Sequence, residues 1–392
     1  MDAARVLPAT GVVGARRAVA ACFAMSGVAV GSLLSRAPGV RDALGLSSAQ
    51  FGLLLLCFSG GSMVGLPLSG PIVHRVGPAR AVLTGSLTVT TGLVTLAAGL
   101  QVGVVGPAAV GLVLIGLGVG LWDVAMNIEG ADVEQRLGRS LMPRLHAAFS
   151  VGTMVGAGVG AVSAAAGVPL AVQILLVAAL VLVLVVVAVR FFLPVHNDAA
   201  QDASGALTAW REPRTLLIGL VVLGFAFMEG SANDWIAVAM VDGYGTSAVL
   251  GAISFGLFVS AMTVGRLTGG SALQRLGRVA VLRATAVITL AGLLLVLLGD
   301  STALALVGAS LWGLGASLGF PVGMSAAADD PARAAARVSV VSSIGYAAFL
   351  AGPPLIGLLA ESAGILRALF VVLGAVALGL LASGASRRGS SG

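Results

Sequence analysis

Apolar residues run through this chain in long blocks separated by short polar turns. Twelve of the blocks reach the ~20 residues that a helix needs to cross the hydrocarbon core of a bilayer. They centre near Val28, Met63, Thr90, Leu117, Gly156, Leu180, Phe225, Leu257, Thr289, Leu314, Ala348 and Ala375. The longest polar interval, from about Leu193 to Pro213, holds Asp198, Gln201, Asp202, Ser204, Gly205 and Glu212, and divides the blocks into six and six. The pattern predicts an all-α membrane protein with twelve transmembrane helices in two pseudo-symmetric six-helix bundles, residues 1–192 and 214–392. A cytoplasmic linker at 193–213 joins them, and a short disordered tail follows Ser386.

The two halves repeat each other. Gly65, Gly70, Arg75 and Gly77 return as Gly265, Gly270, Arg275 and Gly277, each time in a short basic turn between two apolar blocks. Parallel repeats of this kind are how one large class of membrane proteins builds a central site.

Composition agrees with a lipid environment. The apolar fraction is 58% and the charged fraction 10%, with a mean hydropathy of +1.06, whereas soluble domains carry about 25% charged residues. The 56 glycines suit helices that pack backbone to backbone. A net charge of +6 does not imply a nucleic-acid partner, because the arginines sit at the ends of apolar blocks and are not interleaved with aromatics. Cys22 and Cys57 lie inside apolar blocks with no ligand at metal spacing, so neither a disulfide nor a metal is expected. Arg16 and Arg17 mimic a twin-arginine export signal, but no small-residue cleavage site follows Ala18–Ser35, and an uncleaved first helix is expected.

Charge asymmetry orients the helices. With the N-terminus inside, 19 of the 22 arginines fall on the cytoplasmic side, including Arg5, Arg139, Arg266 and Arg388, while Arg36, Arg41 and Arg367 lie outside. Such a bias sets topology during insertion. Both termini are therefore expected in the cytoplasm.

The repeated turn carries a resemblance. Gly70-Pro-Ile-Val-His-Arg75-Val-Gly77-Pro-Ala-Arg80 and Gly270-Ser-Ala-Leu-Gln-Arg275-Leu-Gly277-Arg278 are similar to the G-x-x-x-D-R-x-G-R-R turn of the major facilitator superfamily, and the likeness extends over essentially the whole chain. It implies the major facilitator fold and transport by alternating access. His74 and Gln274 stand where the family has the Asp that helps latch the cytoplasmic side. Ion pairs from Arg75, Arg80, Arg275 and Arg278 to Glu129, Asp132, Glu134, Asp329 and Asp330 are the expected substitute gate, with a solvated loop as the competing reading. Gly152, Gly156, Gly158 and Gly160 resemble the family's antiporter motif, with Ala157 in place of Pro. Trp122–Glu129 and His146–Gly152 also resemble a bacterial branch described as fucose-permease-like. Fucose symporters use acids in the first and fourth helices, and the first span here contains none.

Charges inside a bilayer are costly, so those that persist are candidates for function. Asp123 and Asn127 in the fourth span, and Glu229 and Asn233 in the seventh, are each four residues apart and share a helix face. Such acid–amide pairs suit a hydroxyl-rich or amine substrate while the acid takes up and releases a proton. A structural hydrogen bond is the competing reading. Asp234 with Arg36 is a candidate outer gate, or each is an interfacial charge reaching water. Trp122 and Trp312 are candidate stacking faces or packing anchors. Gly116, Gly118 and Gly120, with Gly313, Gly315, Gly319 and Pro321 in the repeat, mark expected interruptions of the fourth and tenth spans. Gly352, Pro353 and Pro354 mark a kink in the eleventh. His146 reads as a capping residue or a proton relay. Gly315–Gly319 matches G-x-S-x-G, but inside an apolar helix and with no His after it, so no hydrolase is implied.

The expected function is that of a secondary active transporter in a bacterial cytoplasmic membrane, moving a small polar solute such as a sugar by proton-coupled symport. Proton-antiport efflux of a drug or metabolite stays open, as does a non-transporting receptor on a transporter scaffold. The expected partners are the small-molecule substrate, protons and the lipid bilayer. The chain is expected to be a monomer, not an enzyme, and to need no cofactor.

Overall fold

The structure is a computed structural model that describes residues 9–138, 141–193, 206–330 and 333–387. The expected linker's polar residues up to Gly205, the tail after Arg387, and Arg5, Arg139 and Arg388 lie outside them. Among the described residues are twelve helices long and apolar enough to span a membrane: Gly11–Leu34, Ser48–Val76, Pro78–Val102, Val105–Leu137, Met142–Ala165, Leu170–Phe191, Pro213–Gly243, Ala248–Leu276, Arg278–Leu298, Thr302–Ala327, Ala336–Ala363 and Ile365–Ser386. They are called spans 1 to 12 below.

Several ends differ from expectation, and each difference has a local cause. Span 1 starts well before Arg16 and Arg17, which therefore lie on the helix, because no residue from Gly11 onward breaks it; their stems can carry the charges to the interface. Span 4 runs on to Leu137 and stops at Gly138, whose φ of 60° is the first left-handed position. At 33 residues it is ~50 Å long, well beyond the ~30 Å hydrocarbon layer. Glu129, Asp132 and Glu134, expected in a loop, thus ride on its last turns. Glu129 is buried and accepts a hydrogen bond from the Leu193 amide at 2.6 Å. Asp132 pairs with Arg136 one turn on. Glu134 accepts from the Leu141 and Met142 amides and so caps the start of span 5.

The repeated basic turn has the same backbone twice. Gly77 (φ 82°) and Gly277 (φ 78°) take left-handed conformations between spans 2 and 3 and between spans 8 and 9. Their amides donate to the Val73 and Leu273 carbonyls. Only glycine adopts this geometry without strain.

The chain forms two compact units. One contains the first span up to Leu33, the second span from Cys57 onward, and spans 3 to 6. Within it, a Cβ added to Gly116 would stand 2.1 Å from the Phe58 carbonyl oxygen, and one on Gly118 2.6 Å from that of Gly85. Spans 2, 3 and 4 therefore touch backbone to backbone, and so do spans 1 and 5, where Gly27 and Gly152 meet the Phe149 and Ala24 carbonyls. In lipid, where apolar burial gives helices little reason to associate, such close approach is a main source of packing energy. Gly116, Gly118 and Gly120 are thus packing residues in an unbroken helix, not the interruption expected of span 4.

The second unit comprises Leu34–Leu56 and all the described chain from span 7 onward. Here Gly313 meets the Phe258 carbonyl and Gly315 the Thr285 carbonyl, at added-Cβ distances of 2.0 and 2.6 Å. Span 10 is interrupted, as expected: one helical segment ends at Ala316 and the next begins at Gly319. Pro321 falls in the first turn of the second segment, where its missing N–H costs nothing. Span 11 carries Pro353 and Pro354 within one continuous helix. The outer end of span 2 belongs to this unit because Phe51 stands edge-on to Trp235 at 5.6 Å and Gly52 lies against the Pro353 carbonyl.

Candidate functional site

In the first unit the candidate acid is Asp123, close to the middle of span 4 and half-buried. Asn127, one turn on, donates its side-chain amide to the Asp123 backbone carbonyl at 2.8 Å and to Oδ1 at 3.3 Å. The pair shares a face as its spacing predicts, and among the described residues no arginine salt-bridges to Asp123. The carboxylate therefore keeps acceptor capacity for a proton or a donor group.

The second unit arranges its acid differently. Glu229 lies at the middle of span 7, and Asn233 makes no hydrogen bond to it among the described residues. Its partner is Arg266 on span 8, whose Nη2 lies 2.9 Å from Glu229 Oε1. Arg266 Nε donates to the Ser317 carbonyl, 3.3 Å away, in the interruption of span 10. Two small residues make this reach possible. A Cβ on Gly265 would overlap Ser317 Oγ, and one on Gly269 would overlap Leu318.

Arg266 is a correction to the sequence reading, which placed it on the cytoplasmic side. It lies ten residues from the end of span 8 at Leu276, ~15 Å along the helix. Span 8 continues to Leu276 because Gly277 is the first left-handed residue after it. The signal was present in the chain, since Arg266 sits nine residues before the repeated arginine of the turn, at a position where the first half has Leu66.

An ion pair is made by residues eight or fewer positions from Arg36 and Asp234, the expected outer gate. Arg41 makes the outer ion pair, donating through both Nη atoms to Asp242, at 2.9 Å for Nη2–Oδ1. Hydrogen bonding to Asp242 holds the Arg41 guanidinium's pKa above its ordinary value. Asp234 lies two turns deeper on span 7, half-buried.

On the predicted inner side, the second unit has an ion-pair cluster. Asp329, just past span 10, accepts from Arg278 Nη1 at 2.6 Å and Arg214 Nη2 at 2.8 Å. Burial opposes its charged form, but the hydrogen bonds from Arg278 and Arg214 outweigh it and hold the carboxyl below the usual aspartate value. Glu212 accepts from Arg337 at 2.6 Å and from Arg333 at 3.2 Å, and these bonds lower its pKa. Of the four arginines expected in the inner gate, Arg278 is paired. Arg75, Arg80 and Arg275 are exposed and make no ion pair among the described residues.

Trp122 and Trp312 are fully buried in their units. Trp122 packs on Gly85, and Trp312 meets Phe258 edge-on at 6.1 Å, so both serve as packing anchors and present no open stacking face. His146 is exposed, with its ring edge-on to Phe23 at 5.3 Å.

Twelve spans in two compact units, a repeated glycine-arginine turn and charged residues held mid-span define a polytopic membrane scaffold. The sequence matches the Major Facilitator Superfamily over residues 19–336, and the chain belongs to that family as a transporter. An uncharacterised MFS-type transporter of Yersinia pestis is 32% identical over 369 residues, 93% of either chain. Membrane protein MosC of Rhizobium meliloti is 26% identical over 376 residues, 94% of this chain and 88% of that one. Among solved structures, a mutant of the nucleoside transporter NupG superposes with a TM-score of 0.78 at 17% identity, covering 96% of this chain and 99% of the other. FucP in its outward conformation gives 0.67 at 15% identity, covering 97% and 100%. At these identities the structural likeness concerns the fold.

Proposed function

We propose that this protein is a secondary active transporter of a small polar solute, working by alternating access and coupled to protons in the direction of uptake. The bacterial cytoplasmic membrane, with both termini inside, is its proposed location, supported by the arginine asymmetry. The observation that carries the proposal is a mid-span carboxylate in each unit, Asp123 and Glu229. Keeping an acid at that depth costs ~2.5–3.5 kcal/mol even on lenient insertion scales, a cost that coupling justifies and packing does not. A carboxyl that is alternately opened to water and closed off gains and loses a proton as its solvation changes. Asp123, hydrogen-bonded to the Asn127 amide of its own helix, suits that role. Glu229 has a cation to exchange with.

The test is flux into proteoliposomes with an alkaline interior, screened over a metabolite library. Wild-type protein should accumulate a solute above its external concentration. Asp123→Asn and Glu229→Gln should each permit only equilibration. Accumulation that survives both substitutions overturns the coupling role of these acids.

A further inference from the structure

Arg266 is not explained by packing. The repeat gives a control inside the same molecule: Leu66 occupies the matching place on span 2, and Leu66 and Arg266 are both half-buried. Their neighbouring glycines make matching close contacts, Gly65 with Leu117 and Gly265 with Ser317. The first unit therefore builds this crossing with a hydrocarbon side chain. A cation adds nothing that the crossing needs, and insertion makes it expensive.

Its bonding is also incomplete. Arg266 is 31% exposed and Glu229 15%, so the pair borders open space. The guanidinium meets the carboxylate through one nitrogen and one oxygen only, although arginine and carboxylate are shaped for two parallel bonds. Arg266 Nη1 and Glu229 Oε2 have no partner among the described residues. Elsewhere in the spans packed on this pair, the charged residues are Asp234 on span 7, with Arg214 and Asp242 at its two ends, Arg275 at the end of span 8, Arg337 and Glu361 at the ends of span 11, and Arg367 near the start of span 12. All but Asp234 lie within three residues of a span end.

Building on the transporter reading, we infer that Arg266 anchors the substrate and that the substrate carries a carboxylate, with Glu229 occupying the guanidinium while the site is empty. An incoming carboxylate displaces Glu229 and pairs in bidentate fashion with Nη1 and the Nη2 that Glu229 gives up. A single mid-span cation matches a single negative charge. The site then holds one cation and two carboxylates, and neutrality returns when Glu229 binds a proton from the aqueous side. Through this pair, one anion and one proton enter together. The Ser317 carbonyl, fixed in the interruption of span 10, keeps the guanidinium in place during the exchange.

The experiment is thermal unfolding of the purified full-length protein in detergent. Acetate, lactate, gluconate, glucuronate and benzoate are compared with ethanol, propane-1,2-diol, glucose and benzyl alcohol. At least one carboxylate should raise the melting temperature in a saturable manner, with an apparent Kd about tenfold or more below that of its uncharged counterpart. Arg266→Gln should abolish that preference, and Arg266→Lys should weaken it. Glu229→Gln, which removes the competitor but keeps the cation, should tighten carboxylate binding about tenfold at neutral pH and remove its pH dependence. No shift with any carboxylate, equal shifts with the neutral solutes, or an unaltered preference in Arg266→Gln overturns the inference. If Arg266→Gln does not fold, Glu229→Gln decides: unchanged affinity and pH dependence overturn it. A carboxylate that binds through Arg266 but is not accumulated under a pH gradient refutes proton-coupled uptake alone. A neutral solute accumulated under that gradient refutes the carboxylate anchor alone.

Discussion

Span 4 crosses span 2 with Gly116 against the Phe58 carbonyl, and span 10 crosses span 8 with Gly313 against the Phe258 carbonyl, at almost the same distance. One step along, Gly118 meets Gly85 and Gly315 meets Thr285. The two units reproduce each other contact by contact at these crossings. They part company at the charged positions. Leu66 stands at the position of Arg266, span 4 is unbroken where span 10 is interrupted, and Asp123 has an amide for company where Glu229 has a guanidinium. Backbone contact between helices depends on small residues at set spacing, and duplication preserves it. A buried charge depends on one partner at one place, and a single substitution in one copy creates or removes it.

The sharpest way to break the comparison is to remove the first unit's acid. Asp123→Asn should reduce solute accumulation in proteoliposomes to an inside-to-outside ratio near one while leaving counterflow exchange measurable. A ratio that stays well above one would place coupling wholly in the second unit.

Next in size is Leu66→Arg, which puts the second unit's cation into the first, where Ala29 stands 200 residues before Glu229. The expected cost is ~2.5–3.5 kcal/mol, read as loss of folded protein in a size-exclusion profile after membrane extraction. A variant as abundant as wild type would show that the first unit already offers a partner there.

Gly116→Ala and Gly313→Ala should then cost alike, ~1–3 kcal/mol each from overpacking, because the added Cβ would stand 2.1 and 2.0 Å from a carbonyl oxygen. Their melting temperatures should fall by similar amounts. A large difference would mean that the duplicated crossings are not energetically equivalent.

The smallest effect concerns Asp329. Its folded-state pKa is depressed, so its contribution is present above the unfolded value near 3.8 and fades as pH falls through the folded value. Asp329→Asn should cost ~0–1 kcal/mol at neutral pH, with the gap to wild type closing in acid. A gap that widens as pH falls would contradict the ion-pair cluster with Arg278 and Arg214.

Much of this architecture is legible in the chain. Twelve apolar blocks and the repeated turn follow from hydropathy and from glycine and arginine spacing, because lipid forces every backbone group into a helix and so ties length to span number. The break in span 10 is legible through Gly319 and Pro321. Span 4 shows the limit of the same rule, since Gly116, Gly118 and Gly120 look like a break and are instead a surface for other helices. A glycine's meaning depends on what approaches it. Arg266 was misplaced for a related reason: counting from the turn puts it among cytoplasmic arginines, and only the observed helix end at Leu276 shows how deep it lies.

Local pattern alone thus determined the number of spans and the duplicated turn, since each depends on residues close together in sequence. Tertiary structure decided which acid meets which cation. Glu229 lies 37 residues from Arg266 and Arg41 lies 201 from Asp242, and no periodicity within a helix reports a partner brought in by another helix.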